Sequence, residues 1–234
     1  MKKIENPVIS EVNLKALAKS IYQESTMMGF NSNDYIKLTN EILGMTIDKK
    51  VIPEIPEEIK IVEDDDKFPL KTKNLKIREY SEKKDKKIVE KWFEDETSRL
   101  FLLSTTSLQN LNIDFISTDN KNIFATITLK NDLPIGLLAI LNIDPKNKKG
   151  EMRKLIGDLN YRGKGFAKEA SKRWIDYCVN SLGLRKIYIN TIETNINNIS
   201  LNRQLGFEIE GLFKKDIVLD GIEHDVLRMA YFKT

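Results

Sequence analysis

Cysteine and histidine are almost missing: Cys178 and His224 are the only ones in 234 residues. They cannot supply the four nitrogen and sulfur ligands of a zinc site, so no metal is expected, and one thiol leaves no disulfide within the chain. Long apolar runs are missing too. None approaches the about 20 residues that a membrane-spanning helix needs, and the basic start Met1-Lys2-Lys3 is followed by Ile4-Glu5-Asn6-Pro7 rather than by the apolar core of a secretory signal. Nor is there an excess of one charge. The 38 Lys and Arg are met by 35 Asp and Glu, which removes the electrostatic case for nucleic acid or an anionic membrane as the main partner. The reducing cytoplasm is the expected compartment, and Cys178, inside a helical pattern, reads as a small buried hydrophobe.

What is present is enough apolar residue, 41% of the chain, to fill the core of one ordinary domain with an appendage. Residues 1–50 hold two helical patterns. In the first, Leu14, Leu17, Ala18, Ile21, Tyr22 and Met28 recur at helical spacing, and Gly29 is placed for a left-handed cap. In the second, Ser32 or Asn33 can cap a stripe of Tyr35, Leu38, Ile42 and Leu43, with Gly44 near the end. The pair reads as a small helical hairpin whose stripes pack together. Residues 51–71 are punctuated by Pro53, Pro56 and Pro69 around Glu57, Glu58, Glu63, Asp64, Asp65 and Asp66, and read as a solvated acidic linker.

From residue 72 the periodicity changes. A short strand is expected over Leu75–Tyr80, a helix over Asp85–Glu96, then antiparallel strands over Ile123–Leu129 and Pro134–Ile143, and a further strand over Glu151–Gly157. A helix from the glycine turn to about Leu182, closed by Gly183, leads to a strand over Lys186–Ile192. That order makes a βαβ crossover with a parallel pair. A short helix, Asn197–Gln204, and two last strands joined through Asp220-Gly221 complete an α+β fold with a mixed central sheet.

The chemistry concentrates at Arg162-Gly163-Lys164-Gly165-Phe166-Ala167, between strand and helix. The first turn of a helix has backbone N–H groups without intrahelical partners and the positive end of the helix dipole, and glycine lets a phosphate come close. A Walker loop does not fit, because Gly157 and Gly163 enclose one residue too many and Gly165 follows the lysine. A dinucleotide fingerprint does not fit either: Lys168 stands where its third glycine belongs, and antiparallel strands precede the turn.

The hexapeptide resembles the Arg/Gln-x-x-Gly-x-Gly/Ala signature of the GNAT superfamily of N-acetyltransferases. Downstream, Asn195 opens a segment closing in Leu205-Gly206-Phe207 that is similar to the superfamily's second cofactor motif. Glu210-Gly211 and Gly221-x-x-x-Asp225 look like the last strands of the branch holding ribosomal-protein, spermidine and nucleotide-aminosugar acetyltransferases. The resemblance covers residues 75 to 234. It implies the GNAT fold and acetyl-CoA as acyl donor. Gly163, Lys164, Gly165, Phe166 and Ala167 would hold the coenzyme A pyrophosphate, with Arg162 and Lys164 adding charge. Backbone groups at Leu155, Ile156 and Gly157, where two strands part, would meet the pantetheine or polarise the thioester carbonyl, and Asn195 and Asn202 would contact it from the other side.

The resemblance further implies direct attack of a neutral primary amine on the thioester. Glu151 matches the position of a general base in several members, and Glu193 is the second candidate. Asn202 stands where many members carry a tyrosine, and an amide is no general acid. The proton donor to the thiolate stays open between another group such as Tyr161 and unassisted departure. The acceptor expected first is the amino group of a nucleotide-linked amino sugar or another small amine, with protein N-termini and polyamines as alternatives. The rival class is a non-catalytic acyl-CoA-binding module that uses the hairpin to bind a partner or a second copy as a homodimer.

Overall fold

The computed structural model describes residues 11–47, 67–95, 98, 121–192, 194–219 and 221–233. The chain divides into two compact units, Met1–Lys50 and Val51–Thr234. In the first, α1 (Glu11–Met27) and α2 (Ser32–Ile47) meet at a turn where Gly29 takes a φ of +83°, which a side chain would disfavour. The contact between the helices is more polar than the stripes suggest. Tyr22 stacks on Tyr35 with centroids 5.6 Å apart, and the hydroxyl of Ser25, a buried residue, donates to that of Tyr35 at 2.9 Å. Leu14, Leu17 and Met28 are exposed, so the first stripe is not spent on α2. The side chains of Ser32, Asn33 and Leu43, and the acidic run of the linker as far as Asp66, lie outside the described residues.

The second unit is built on an eight-stranded sheet. Its strands are β1 (Leu70–Lys71), β2 (Leu75–Glu79), β3 (Ile123–Leu129), β4 (Pro134–Asp144), β5 (Lys149–Ile156), β6 (Lys186–Ile192), β7 (Glu208–Leu219) and β8 (Ile222–Phe232), in the order β1-β2-β3-β4-β5-β6-β8-β7. Every neighbouring pair is antiparallel except β5 and β6, which are parallel and linked by the helix α4 (Phe166–Asn180). Strand β1 lies within the segment expected to be linker. Leu70 is fully buried and pairs with Ile77, an apolar anchor that proline punctuation hid.

Strand β4 is the apolar centre. Ile135, Leu137, Leu138, Ala139 and Ile140 are all at 0% exposure, the continuous pattern of a strand covered on both faces. Helix α3 (Glu82–Phe93) brings Val89, Trp92 and Phe93 onto Phe124, Leu137, Ala139, Leu141 and Leu155. Helix α4 buries Ala170, Trp174 and Cys178 completely, and the Trp174 indole donates to the Ala139 carbonyl at 3.3 Å. Burial pushes the Cys178 thiol up, which makes it inert as expected. A short helix, α5 (Ile196–Gln204), lies between β6 and β7.

Two buried carboxylates tie helices to strands. Glu169 on α4 accepts from the Thr72 hydroxyl at 2.6 Å, the Asn74 N–H at 2.7 Å and the Asn74 amide at 2.9 Å. Asp85 takes both guanidinium nitrogens of Arg78, at 2.7 and 2.6 Å, and accepts from the Ser81 N–H and the Thr126 hydroxyl at 2.9 Å each. The reach back to Ser81 explains why α3 starts at Glu82, ahead of the expected Asp85: the carboxylate satisfies a donor of the first turn.

Burial opposes ionisation of Asp85, but the hydrogen bonds from Arg78, Ser81 and Thr126 outweigh it and hold the carboxyl below its usual range. A carboxyl depressed by folding stabilises above its unfolded value of about 3.9, and that stabilisation is lost as pH falls through the lower folded value. Asp85→Asn should therefore lower stability at pH 7 by about 3 kcal/mol, because it strands a guanidinium on a buried partner. Thermal denaturation from pH 7 to 2 should show the deficit of the variant shrinking in acid.

Candidate active site where two strands part

Strands β5 and β6 pair at three positions only, Lys149 with Lys186, Gly150 with Ile187 and Glu151 with Tyr188. Beyond them, Met152–Ile156 pairs with β4 alone, and Ile189–Ile192 with β8 alone. Each strand keeps a full ladder on its outer side. Between them lies a gap whose facing backbone groups are left for a ligand or for water.

The gap leads from β5 to the glycine turn. Gly163 and Gly165 have φ of +73° and +82°, and a Cβ at Gly163 would meet nothing within 4 Å, so its surface is open. Gly165 is the N-cap of α4 and makes no side-chain cap bond. The first amides of α4, Phe166 and Ala167 among them, thus have no capping side chain, as an anion site requires. Lys164 is exposed beside it, its ammonium 5.4 Å from the Tyr161 ring centroid, and Tyr161 packs against Phe166 with centroids 6.1 Å apart. Tyr161 belongs to this turn.

Two residues expected at the cofactor have other partners. The guanidinium of Arg162 donates to the Ile156 carbonyl at 2.8 Å, to Asp95 at 3.0 Å and to the Ser98 hydroxyl at 2.8 Å. It pins the chain beyond α3 to the turn, and part of its charge is spent on Asp95. The Gly157 N–H is bonded to the Ile135 carbonyl at 2.9 Å, and an added Cβ would lie 2.1 Å from the Trp92 ring. Gly157 therefore corrects its expected role as a pantetheine donor: it is glycine because an indole packs against its backbone. Leu155 belongs to the core against α3, and its carbonyl is turned to Gly136 of β4, so it too departs from its expected place at the pantetheine.

Alternation along β5 separates two polar groups. Glu151 and Arg153 share one face; Met152 and Lys154 share the other. Glu151 is 1% exposed and ion-paired with Arg153, and accepts from the Asn142 and Asn190 amides at 3.2 and 3.1 Å. Asn190 in turn accepts from Arg228 at 3.0 Å, and Arg228 lies between the rings of Tyr188 and Phe213, 4.8 and 4.7 Å from their centroids. Burial, and then the Glu151 charge, push the Tyr188 phenol up.

On the other face, the half-buried Lys154 donates to the side-chain oxygen of Asn202, a fully buried residue of α5. The Asn202 amide points at the Met229 sulfur, 3.8 Å away. Asn195 caps α5 by accepting from the Asn198 N–H at 3.2 Å, and Lys168 of α4 donates to Gln204 at 3.0 Å, tying the two helices that border the gap. Glu193 lies outside the described residues. Sequence spacing had given no hint of Arg153, Tyr188, Asn190, Arg228 or Lys154, because their importance comes from partners on other strands. A separate concavity of about 720 Å³, lined by Lys71, Lys76, Arg78, Tyr80 and Lys84, belongs to the β1/β2 edge rather than to the gap.

The profile of the acetyltransferase (GNAT) domain matches residues 74–208, and the chain belongs to that family. A spermidine N(1)-acetyltransferase of Escherichia coli K12 is 31% identical over 98 residues, 42% of this chain and 52% of that protein. One from Vibrio cholerae is 28% identical over 145 residues, 62% of this chain and 80% of that protein. A putative ribosomal N-acetyltransferase of Bacillus subtilis is 26% identical over 98 residues, 42% of this chain and 53% of that protein. The chain thus spans about half the length of the E. coli relative. Among solved structures, the Vibrio cholerae spermidine N-acetyltransferase in complex with CoA and spermine superposes with a TM-score of 0.59 at 21% identity, over 68% of this chain and 95% of that one, which shows the shared fold.

Gly157→Ala tests the packing reading. It should lower stability by about 2 kcal/mol, the cost of overpacking a full core. Gly163→Ala adds a Cβ to open space at positive φ, so it should cost only about 1 kcal/mol. Differential scanning calorimetry of the two variants checks the order.

Proposed function

We propose that the protein transfers an acetyl group from acetyl-CoA to a small primary amine by direct attack on the thioester. The observation that carries this is the gap between β5 and β6 running into a helix N-terminus without a capping side chain. A phosphate fits the amides at Gly163 to Ala167, with Lys164 free to approach it. An amide-bearing arm fits the unpaired backbone of β5 and β6, whose N–H groups also suit a carbonyl gaining negative charge. Family membership supports the same reading.

For the acceptor, the names of the relatives support a polyamine. A second reading rests on charge. The described side chains about the gap are Arg153, Lys154 and Arg228 against Glu151, and the buried Arg153 Nε has no partner among the described residues. That balance repels a polycation and suits an amine on an anionic carrier, such as a nucleotide-linked amino sugar. Glu151 is the proposed acceptor of the amine's proton, relayed by water because its oxygens are already held by Arg153, Asn142 and Asn190. Glu193, which directly follows β6 in the sequence, is proposed as the second candidate.

A thiol-release assay with acetyl-CoA over spermidine, spermine, nucleotide-linked amino sugars and N-terminal peptides tests this. Turnover with one class is expected, and Glu151→Gln should lower kcat about 100-fold while coenzyme A affinity, read by calorimetry, holds within a few-fold. Coenzyme A binding without turnover of any amine would favour the non-catalytic alternative. Unchanged kcat in both Glu151→Gln and Glu193→Gln would remove both bases.

A further inference from the structure

The bond from Lys154 to Asn202 runs from the β5 side of the gap to the helix following β6. Lys154 lies three residues beyond Glu151, the last β5 residue to pair with β6, and so about 10 Å further along the strand. A linear arm that starts at the Gly163–Ala167 turn and reaches the acyl acceptor beside Glu151 has to pass it. The side chain is anomalous for its place: an ammonium half-buried on the inner part of a strand, satisfied by a neutral amide rather than by a carboxylate.

We propose that Lys154 is the proton donor to the departing coenzyme A thiolate, with Asn202 holding its ammonium in the gap. This rests on the acetyl-transfer reading above. As the amine nitrogen bonds to the acetyl carbon, the carbon–sulfur bond breaks and its electron pair goes to sulfur. Lys154 gives one Nζ–H proton to that sulfur and becomes a neutral amine. The proton shed by the acceptor nitrogen leaves through Glu151 and water, and an equivalent proton from solvent restores the ammonium. The balance is amine plus acetyl-CoA giving amide plus free coenzyme A.

The proton affinity suits the task. Desolvation, and then the charge of Arg153, push the Lys154 ammonium down to about 7, below the about 8.5 of a free thiol, so transfer from nitrogen to sulfur runs downhill. Arg153, on the same strand, is the charged neighbour acting on it; α5 presents the Asn202 amide, β8 the Met229 thioether, and on α4 Lys168 is bonded to Gln204 while Glu169 is bonded to Thr72 and Asn74. An asparagine alone could not donate this proton. An asparagine that orients a lysine can.

Two measurements on the full chain test this, one without any amine. Ultraviolet titration of the thiol of bound coenzyme A reads whether position 154 stands beside sulfur: with the permanent charge of Lys154→Arg the thiolate should form at lower pH than with Lys154→Met, by at least one unit. Steady-state rates should show kcat about 100-fold lower in Lys154→Met with the KM for acetyl-CoA within about twofold, and Lys154→Arg, whose guanidinium keeps its proton, should not restore kcat. In wild type kcat should fall at alkaline pH as the ammonium is lost, and the variant should lack that limb. Equal thiol titrations in Lys154→Arg and Lys154→Met overturn the proposal, as does an unchanged kcat in Lys154→Met. A shifted thiol titration with no turnover of any amine overturns the acetyl-transfer reading and leaves Lys154 beside the sulfur.

Discussion

The structure depends on a parallel pairing that stops early. Strands β5 and β6 share three registered positions and then part, although both continue for several residues. An unpaired strand edge inside a sheet normally costs the hydrogen bonds that are not made. Here the cost is contained, because β4 pairs with β5 over Gly136–Leu141 and β8 pairs with β6 from Lys186 to Ile192. The split is therefore rigid on both banks. It is a preformed slot, and the α4 crossover ends it at a helix N-terminus.

The polar groups around the slot follow from strand geometry. Successive side chains on β5 point to opposite faces, so Glu151 with Arg153 and Lys154 with Asn202 form two separate sets. Buried ion pairs are poor evidence for stability, since desolvation cancels most of the attraction. Their concentration beside an open backbone edge is better explained by function. Arg228, held between two aromatic faces and bonded to Asn190, extends the first set across β6 to β8. Four strands, β4, β5, β6 and β8, thus fix the orientation of one carboxylate.

Local features were legible in the sequence and long-range ones were not. The glycine turn, the βαβ order, and the strands Ile123–Leu129 and Lys186–Ile192 agree with the structure residue for residue, because periodicity and turn chemistry act over a few positions. The start of α3 was misplaced since Asp85 has two uses, capping its own helix and pairing with Arg78 and Thr126, and only the first can be seen locally. Gly157 looked like part of a cofactor loop because Trp92, which requires it to be glycine, is distant in sequence. Arg162 looked like a free charge because Asp95 and Ser98 are equally remote. Asn202 read alone was a missing acid. Its meaning changes once Lys154 is bonded to it.

That pairing also explains why the carboxylate and the lysine do not cancel each other. A lysine beside Glu151 would be held charged and would keep its proton. The strand prevents this in two ways. It sets the two groups on opposite faces, and it pairs Glu151 with an arginine, so that the titratable lysine is not held charged by the carboxylate. Lys154 is left with an amide for a partner, and burial, then the charge of Arg153, lower its proton affinity to about 7. Acetyl transfer needs one proton removed at nitrogen and one supplied at sulfur within the same narrow slot. On the roles proposed for them, Glu151 and Lys154 stand on opposite faces of one strand, which lets each stay in the form that its step requires.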